Sequence, residues 1–520
     1  MATLVKQFNI EANHSVPPVP QADGWTSWQR ILFRFSFLFL AQITLPLRLG
    51  WYERLLAVRS LRQVYSLSMR LGVTYTTIPG ESGRWGIGSF ASLGIAFVIA
   101  AVGAAIWTWF ARNSPRKEYR ALYYWLRLAV RYWVALNIMH YGYIKFLPMQ
   151  MPYPSISNLH SLFGEHAPYR LYWQAVGIVT WYQIALGVME VTAGSLLLFR
   201  STTALGALLN LVILYNVAHG NFAYDGGVHL LSSEIALLSG FLLAQYIPDL
   251  WKLLIKREDV QPSYYRPVFK RKWQRYAFTG VKVLAWLLFI PGFVYETYHG
   301  FYHTNLSKEP RSPGLTASKG YYNVTEFRLN GKLLPYSPLD PVRWHDVVFE
   351  DYPTLVYKVN RALPVRLENG SPAYRDLDKR YELSGFSGGK VYLHYDLDEA
   401  SHVLYLQDKS LLNGPNSRGN NAGQSGAGGR RKRRDPVKLE WHYTQPSEGR
   451  IVLSGLDEKK NSLYVVLDRV AEKFPIQIES PVPGEAPRYD RLFARRYPVT
   501  GRSFDGTGAP ATPDAGDNSQ

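Results

Sequence analysis

Ionisable side chains interrupt two long apolar runs of the sequence, where charge is costly. Arg127 and Arg131 lie in "YRALYYWLRLAVRYWVALNIM", and Glu190 lies in "WYQIALGVMEVTAGSLLLFR". Counted at ~1.5 Å per residue from Arg120 and from Arg200, taken as the inner ends of two helices, Arg131 and Glu190 reach the same depth. Since opposite charges offset each other's cost in a membrane, we expect Arg131 to meet Glu190, with Arg127 one turn inward. A structural ion pair and a proton relay or ligand site both stay open.

A second polar group is expected at the outer end of the same helices. It comprises side chains near the end of the first run and in the turn "YNVAHGNFAYDGGVHLLSSE". The candidate ligand pocket is His140, Tyr143, Lys145, Asn216, His219, Asn221, Asp225, His229 and Glu234. Histidines and carboxylates can bind metals or pass protons, but the group has no HxH, HxxxH or HExxH spacing, so no bound metal is predicted. A polar cap on the turn and a pocket for a small-molecule headgroup remain as alternatives.

Two further features of these helices give specific expectations. Lys145, with Tyr141 and Tyr143 beside it, is expected to extend to the outer membrane interface. Gln183, Gly187, Glu190 and Gly194 fall on one helix face, where the glycines permit a close approach of a second helix.

The helices that must position these residues are predicted from seven apolar runs. Each approaches the ~20 residues that cross a bilayer. The runs are about 29–48, 91–111, 121–147, 170–199, 203–222, 228–248 and 276–297. The first carries Arg34, and a re-entrant first run, which leaves six spans, is the alternative.

Basic residues in the short loops predict the orientation. The loop after the sixth run has eight basic and two acidic residues, whereas loops 148–168 and 221–227 have no lysine or arginine. Basic loops favour the cytoplasm, so we expect a cytoplasmic N-terminus and an extracytoplasmic C-terminal part. Loop 49–90 disagrees, since it is predicted outside yet is rich in arginine. Its apolar residues recur every three or four positions, which indicates an amphipathic helix on the membrane.

From about residue 300 the pattern becomes that of short strands. Asn330-Gly331 between two apolar segments predicts a hairpin, and the stretches "KVYLHYDL", "HVLYLQ", "KLEWHYT", "RIVLSGL" and "SLYVVLDRV" alternate as strands do. We expect a β-rich, sandwich-like domain with a disordered insert at 412–436 and a disordered tail at 486–520. The basic run 430–434 is interpreted as part of a solvated loop rather than a phosphate or nucleic-acid site, so no nucleic-acid partner is predicted.

Several classes of chemistry have no support in the sequence. The chain has no cysteine, which excludes disulfides, thiolate metal sites and thiol nucleophiles. The GxxxxGK[ST] loop and the GxSxG motif are also absent, so neither ATP-driven transport nor a serine hydrolase is indicated.

Residues 119–250 resemble the DoxX-like membrane proteins, whose module has four helices. The resemblance is carried by "RYWVALNIMHYGYIKFLPMQMPYPS", "GVMEVTAGSLLLFRSTTALGALL", "NVAHGNFAYD" and "LLSSEIALLSGFLLAQYIPDL". It implies a multi-pass protein of the bacterial inner membrane. Relatives are linked with quinone-dependent sulfur oxidation or with membrane complexes that handle oxidative stress, and no catalytic residue is carried over.

These observations predict an α-helical membrane bundle of about seven spans, with a DoxX-like four-helix core, followed by the β-rich domain. The predicted division is 1–28 (cytoplasmic tail), 29–118 (two extra helices and the amphipathic loop), 119–250 (DoxX-like module), 251–275 (basic cytoplasmic loop), 276–298 (last helix) and 299–485 (β-rich domain).

The leading function is a membrane subunit or scaffold that binds a quinone or lipid-like ligand. A component of a quinone-linked oxidoreductase with redox partner subunits is the first alternative, and a secondary transporter is the second. Homo-oligomerisation stays open.

Overall fold

Apolar runs in the first three-fifths of the chain form a helical bundle in the computed structural model, and the later residues form a β domain. The structure describes residues 24–69, 71–78, 81, 83, 86–114, 118–261, 264–265, 267, 269, 271–304, 306–363, 372–383, 388–409 and 438–471. Most of the predicted N-terminal tail, the predicted insert at 412–436 with its basic run, and the predicted tail at 486–520 lie outside the described residues.

The bundle consists of helices of very different lengths. They are α1 (Ser27–Thr44), α2 (Leu49–Leu56), α3 (Leu61–Ser68), α4 (Phe90–Phe110), α5 (Arg120–Phe146), α6 (Ile156–Leu159), α7 (Pro168–Gly177), α8 (Thr180–Leu198), α9 (Thr203–Ala223), α10 (His229–Ala244), α11 (Ile247–Trp251), α12 (Lys272–Leu287) and α13 (Phe293–His303). A π-helical turn, Lys252–Lys256, follows α11, and another, Leu288–Gly292, joins α12 to α13 around Pro291.

Within the described residues, five helical segments are long and apolar enough to cross a membrane. They are Ser27–Leu56, Phe90–Phe110, Thr180–Leu198, Thr203–Ala223 and Lys272–His303. A sixth is formed if α10 and the segment Ile247–Lys256, which are bent by 66°, count as one span. At 27 residues α5 is long enough, but its charged and tyrosine side chains leave it less apolar. The chain therefore has several helices of membrane-spanning length and composition.

Two helical predictions are wrong in detail. The run at 170–199 is not one helix, because α7 ends at Gly177 and α8 begins at Thr180. The amphipathic helix expected in loop 49–90 is two short helices, α2 and α3, separated at residues 57–60. Tyr65 of α3 packs against Phe293 of α13 with ring centroids 4.4 Å apart. This contact ties α3 to the bundle.

The core of the bundle lies around α5. This helix packs against α8, α10, α1 and α13, while α9 packs between α8 and α10. Fully buried Val130 and Ile138 of α5 share one apolar cluster with Leu197 of α8 and Leu238 of α10. The apolar core of the bundle therefore lies where α5 meets α8 and α10.

Nine strands follow the last helix. They are β1 (Gly320–Leu329), β2 (Lys332–Leu333), β3 (Asp346–Phe349), β4 (Thr354–Lys358), β5 (Lys390–Asp398), β6 (Val403–Asp408), β7 (Leu439–Ser447), β8 (Arg450–Leu456) and β9 (Ser462–Arg469). All pairings are antiparallel, in the order β2-β1-β3-β4-β5-β6-β7-β8-β9, and β1 also pairs with β9. Because that pairing joins the two ends of the sheet, eight strands form a closed barrel and β2 is a short arm on β1.

The predicted sandwich is therefore wrong, and the reason lies in β1. Its N-terminal part pairs with β3, and residues 322–329 pair with β9 from Tyr322↔Arg469 to Leu329↔Leu463, with a register shift between Val324 and Glu326. Closure of the barrel pairs the backbone N–H and C=O groups of edge strands, which two open sheets would leave exposed. The interior is filled by large side chains, including Tyr322, Phe327 and Trp441, each at most 1% exposed.

The outer face of β3, β4 and β5 is buried too. Leu355 and Leu393 point into the barrel, so their neighbours Val356 and Tyr392 point outward. These outward residues form a second apolar cluster with Ile156 of α6. A one-turn helix from the connection between α5 and α7 thus packs on the barrel wall.

Candidate functional site

The closest helix pair in the bundle is α5 with α8, and three glycines set its spacing. A Cβ atom at Gly187 would lie 2.5 Å from the backbone nitrogen of Phe146, and one at Gly142 would lie 2.9 Å from the backbone nitrogen of Val191. At Gly194 the added atom would lie 2.5 Å from the side chain of Met139. The predicted glycine face of α8 therefore does pack directly on α5.

A buried ion pair lies in this interface. The Nζ atom of Lys145 donates to both carboxylate oxygens of Glu190, at 2.8 and 2.7 Å. Lys145 is 6% exposed and Glu190 is 3% exposed. The expectation that Lys145 extends to the membrane interface is wrong, because a carboxylate one helix away satisfies the ammonium inside the bundle.

The predicted contact between Arg131 and Glu190 is also wrong. The Nη1 atom of Arg131 donates to Thr203 Oγ1 at 3.3 Å, and Thr203 begins α9. Arg131 is therefore level with the region beyond the end of α8. Glu190 lies eight residues before Leu198, the last residue of α8, and thus ~12 Å from that end.

The error arises from the assumed alignment of the helix ends. Helix α5 has 27 residues and α8 has 19, so their ends cannot all coincide. The close contacts at the glycines place residue 142 of α5 opposite residues 187–191 of α8, and residues 135–139 opposite residue 194. Packing of small residues, rather than equal depth of charges, fixes how far one helix slides along the other.

Arg127 is held by backbone oxygens instead of a carboxylate. Its Nη2 donates to the carbonyl of Leu242 at 2.8 Å and its Nη1 to that of Phe241 at 3.3 Å, both in α10. Its guanidinium also lies 5.5 Å from the ring centre of Tyr123 and 5.4 Å from that of Tyr246. Arg127 therefore links α5 to the end of α10 and does not contribute to the Lys145–Glu190 pair.

The residues of the predicted ligand pocket fall into two sets. On α5, His140 and Tyr143 flank the ring of Phe293, with ring centroids 5.3 and 5.7 Å from it. Tyr65 completes this aromatic cluster, which lies beside Lys145 on the same helix. Among the described residues, the Tyr143 hydroxyl and His140 Nδ1 are buried without a hydrogen-bond partner.

The second set surrounds the turn between α9 and α10. Asn221 is buried, and its Nδ2 donates to the carbonyl of Val217 at 2.9 Å and to Ser232 Oγ at 3.4 Å. The ring of His229 stacks on that of Phe90 at 5.8 Å, which joins the turn to α4. Asn221 therefore holds the turn together, as the polar-cap alternative expects.

The remaining predicted pocket residues do not converge with these. Asn216, His219 and Asp225 are exposed on α9 and its turn. Glu234 is 3% exposed, and its carboxylate lies against Gly86, where a Cβ atom would come within 2.3 Å of it. The contacts of the described residues thus do not join the nine predicted residues into one pocket. No group of three or more His, Asp or Glu side chains in the described part of the chain is arranged to hold a metal ion.

Sequence reasoning missed a polar attachment between the bundle and the barrel, here called the α6 clamp and formed by Glu350 and Lys390. The Glu350 carboxylate, 1% exposed, accepts the backbone N–H groups of Ile156 at 3.0 Å and of Ser157 at 2.8 Å. Lys390 Nζ donates at the other end of α6 to the carbonyls of Ser157 at 2.7 Å and of His160 at 3.1 Å. A carboxylate thus meets the free N–H groups of a one-turn helix and an ammonium meets its free carbonyls.

Burial shifts the pKa values of both clamp residues. Burial raises the pKa of Glu350 to about 7, although the hydrogen bonds that its carboxylate accepts from the N–H groups of Ile156 and Ser157 act to lower this pKa. Burial lowers the pKa of Lys390 to about 8, opposed by Asp346 and Glu165. Only Ser155, which follows two prolines and caps α6, carried a local signal for this helix. Glu350 and Lys390 give no local sequence signal, because each is a single residue far along the chain from α6.

Further polar contacts join the same surfaces. Lys358 Nζ lies 2.8 Å from a carboxylate oxygen of Glu165, and Arg170 of α7 donates to the carbonyl of Arg380 at 2.8 Å. Lys308, which follows α13, donates to the carbonyl of Gln150 at 2.7 Å. The barrel is therefore attached to the α5–α7 connection at several points besides the covalent link from α13.

Comparison with known proteins gives a limited similarity. The chain is similar to uncharacterized protein YwoB of Bacillus subtilis (strain 168), with 29% identity over 141 residues, which cover 25% of this chain and 79% of that protein. No family model matches the chain, and no solved structure matches it. The similarity concerns a quarter of the chain and brings no activity with it.

Proposed function

We propose that this protein is a multi-pass, DoxX-like protein of the bacterial inner membrane that acts as a scaffold and holds its β-barrel against the extracytoplasmic end of the bundle. The α6 clamp is the observation that carries the proposal. A domain joined only by a flexible link would leave such an acid and such a lysine solvated. Here the side chains of Glu350 and Lys390 are both buried against α6, which belongs to the connection between α5 and α7.

The shape of the attachment supports a fixed rather than a mobile barrel. Apolar contact of Ile156 with Val356 and Tyr392 lies between the two clamp residues. Hydrogen bonds flank this apolar contact on both sides, since Glu350 accepts two backbone N–H groups and Lys390 donates to two carbonyls. The barrel would then present its remaining surface to partner subunits in a constant orientation.

The charge of the loops supports the orientation. Both the α5–α7 connection and the link from α13 contact the barrel, so they lie at one end of the bundle. The loop 148–168 at this end has no lysine or arginine, whereas the loop after α11 is strongly basic. Basic loops favour the cytoplasm, which gives the barrel an extracytoplasmic position.

The Lys145–Glu190 pair fits a structural role in this scaffold. Both side chains are buried where glycines bring α5 and α8 into contact, and each charge is satisfied by the other. A pair of this kind contributes mainly by fixing one register between two helices, since losing either partner leaves an uncompensated charge. The register in turn places the start of the α5–α7 connection, which carries α6.

A quinone-linked oxidoreductase component is the second candidate, and one observation favours it. The Tyr143 hydroxyl and His140 Nδ1 lie without hydrogen-bond partners among the described residues, in an aromatic cluster beside the ion pair. An aromatic surface with unused polar atoms suits a quinone ring and its carbonyl oxygens. A quinone or lipid-like ligand bound there is also compatible with the scaffold.

Spin-label distances test the scaffold. The chain has no native cysteine, so Leu56→Cys in α2 and Leu339→Cys in the barrel, 89% and 79% exposed, give one labelled pair. We expect a narrow distance distribution that broadens when Glu350→Ala and Lys390→Ala are added. A broad distribution in the doubly labelled chain that the two alanines leave unchanged would contradict a fixed barrel.

Two further measurements separate the alternatives. Leu339→Cys alone should react with a membrane-impermeant maleimide in spheroplasts, whereas Ser114→Cys in the basic loop after α4 should react only after permeabilisation. Reduction of added quinone by an added electron donor, catalysed by the purified protein and lost in Glu190→Gln under conditions where the variant remains folded, would favour the oxidoreductase. A Glu190→Gln protein that only loses stability would favour the scaffold.

A further inference from the structure

A small cleft, here called the junction cleft, lies where the segment after α5, helix α7 and the barrel meet. Its walls include Tyr169, Arg170 and Trp173 of α7, Lys308 from the link after α13, and Arg380 from the loop between β4 and β5. None of its lining residues belongs to the Lys145–Glu190 pair or to the α6 clamp.

The charge of the junction cleft is entirely positive. Three of its twelve lining residues are cations and none is acidic. Two of the cations are fixed by backbone oxygens: Arg170 Nη2 donates to the carbonyl of Arg380, and Lys308 Nζ donates to the carbonyl of Gln150. The ammonium of Lys308 also lies 4.3 Å from the ring centre of Trp173. Such a concentration of one charge in a cleft favours an anion.

Hydrogen-bond donors of the cleft lack acceptors. Tyr169 is 8% exposed, and its hydroxyl has no hydrogen-bond partner among the described residues. The Nε atom of Arg170 and the Nε1 atom of Trp173 are likewise buried and without an acceptor in that part of the chain. A buried donor without an acceptor costs about 1–3 kcal/mol. An anion bound in the cleft would bring acceptor oxygens and negative charge to a wall that holds these donors and three cations and has no acidic residue.

We propose that the junction cleft binds a phosphate group. Guanidinium groups match phosphate oxygens in pairs, and an ammonium adds a point charge, so two arginines and a lysine form a suitable set. The aromatic residues Tyr169 and Trp173 lie at the end of the bundle, where such residues commonly meet lipid headgroups. The phosphate is carried either by a phospholipid headgroup or by a small soluble molecule. This proposal does not depend on the scaffold role.

Titration of the intact, detergent-purified chain with inorganic phosphate tests the soluble source, with isothermal titration calorimetry as the readout. Native mass spectrometry of the same protein, transferred from nanodiscs of phosphatidylglycerol and phosphatidylcholine, tests the lipid source. Arg170→Gln should weaken either form of binding about tenfold or more. Since Arg170 also holds barrel carbonyls, Trp173→Phe is the second variant. It keeps an aromatic ring beside Lys308 but removes the Nε1 donor that has no acceptor among the described residues, and it should weaken binding severalfold with little change in thermal stability.

Arg328→Gln, on an exposed strand of the barrel, is the matched control and should bind as the unchanged chain does. Saturable phosphate binding that both cleft variants weaken supports a soluble ligand. Retained phospholipid that both variants release, without an effect of free phosphate, supports a headgroup. Absence of both, or equal binding in the cleft variants and the control, would overturn the proposal.

Discussion

Lys145 of α5 contacts both carboxylate oxygens of Glu190 of α8, at 2.8 and 2.7 Å, in a helix interface that three glycines bring together. The two residues are 45 positions apart in the chain. Neither charge has access to water, so the stability of the helix pair depends on their being together.

The first prediction concerns the loss of either partner. Glu190→Gln and Lys145→Met should each destabilise the purified protein by about 3–5 kcal/mol, because each leaves one buried charge without its counterion. The double variant Lys145→Met/Glu190→Leu should lose much less than the two single losses added together, since no charge remains in the interface. Thermal or denaturant unfolding in detergent measures all four proteins as one double-mutant cycle. Additive losses would mean that the two side chains act independently.

The second prediction concerns the glycine contact. Gly187→Ala would place a Cβ atom 2.5 Å from the backbone nitrogen of Phe146 and 2.7 Å from the carbonyl oxygen of Gly142. Backbone atoms cannot rotate away, so α5 and α8 must separate, at a cost of about 1–3 kcal/mol. Gly94→Ala in α4 is the control, because nothing lies within 4 Å of the added atom there. If both alanines leave the unfolding midpoint unchanged, the interface is looser than described.

The partner of Glu190 could not be predicted from the sequence, although the helices that carry the pair could. The apolar runs predict the long helices because hydrophobic length is a local property of the chain. The partner of Glu190 is not local, since it depends on how far α5 slides along α8. Residues Gly142 and Gly187 decide that slide through backbone contact, and no count of residues from the helix ends contains it. A prediction that started from the glycines would have placed Lys145, rather than Arg131, near Glu190.

The third prediction concerns the hairpin that joins β1 to β2. Asn330 and Gly331 have φ values of 51° and 76°, the pair of left-handed residues that a tight two-residue hairpin requires. Gly331→Val should destabilise the barrel by about 1–2 kcal/mol through backbone strain alone, because nothing lies within 4 Å of an added Cβ atom. Lys332→Val adds the same side chain at an exposed site of ordinary φ and should change stability by less than about 0.5 kcal/mol. Calorimetry of the full chain compares the two, and equal effects would exclude backbone strain.

The hairpin was predictable and the barrel was not, for a related reason. Asn330-Gly331 is a local signal, and so is the alternation in β5 to β9. The pairing of Tyr322 with Arg469 joins residues far apart in the chain, and it alone distinguishes a closed barrel from two open sheets. Strands β3 and β4 escaped sequence reasoning because they have only four and five residues and are buried on both faces, so their short sequences show no alternation.

The last prediction is a pH dependence of the α6 clamp. Burial raises the pKa of Glu350 from an ordinary 4.5 to about 7 while α6 is docked. Between these values the docked state holds more protons on Glu350 than the undocked state, so docking weakens as the pH rises from 4.5 to 7, and Glu350 contributes no further change above that range. A shift of this size corresponds to about 3 kcal/mol. Hydrogen exchange of the Ile156 and Ser157 amides, corrected for the pH dependence of the intrinsic rate, should show protection that falls more steeply across this range than in Glu350→Gln, because His160 at the end of α6, whose pKa burial lowers to about 4, contributes a slope of opposite sign in both proteins.

Glu350→Gln should remove the part of the slope that Glu350 contributes, because the amide does not titrate. Glu165 provides a matched control of opposite sign: burial favours its neutral form, but its pair with Lys358 outweighs this and lowers its pKa. The stability that Glu165 contributes is therefore present above its ordinary pKa and is lost only as the pH falls below it. Glu165→Gln should leave the slope between pH 4.5 and 7 in place. The same pH dependence of protection in the unchanged chain and in Glu350→Gln would show that the carboxylate of Glu350 does not control the docking of α6.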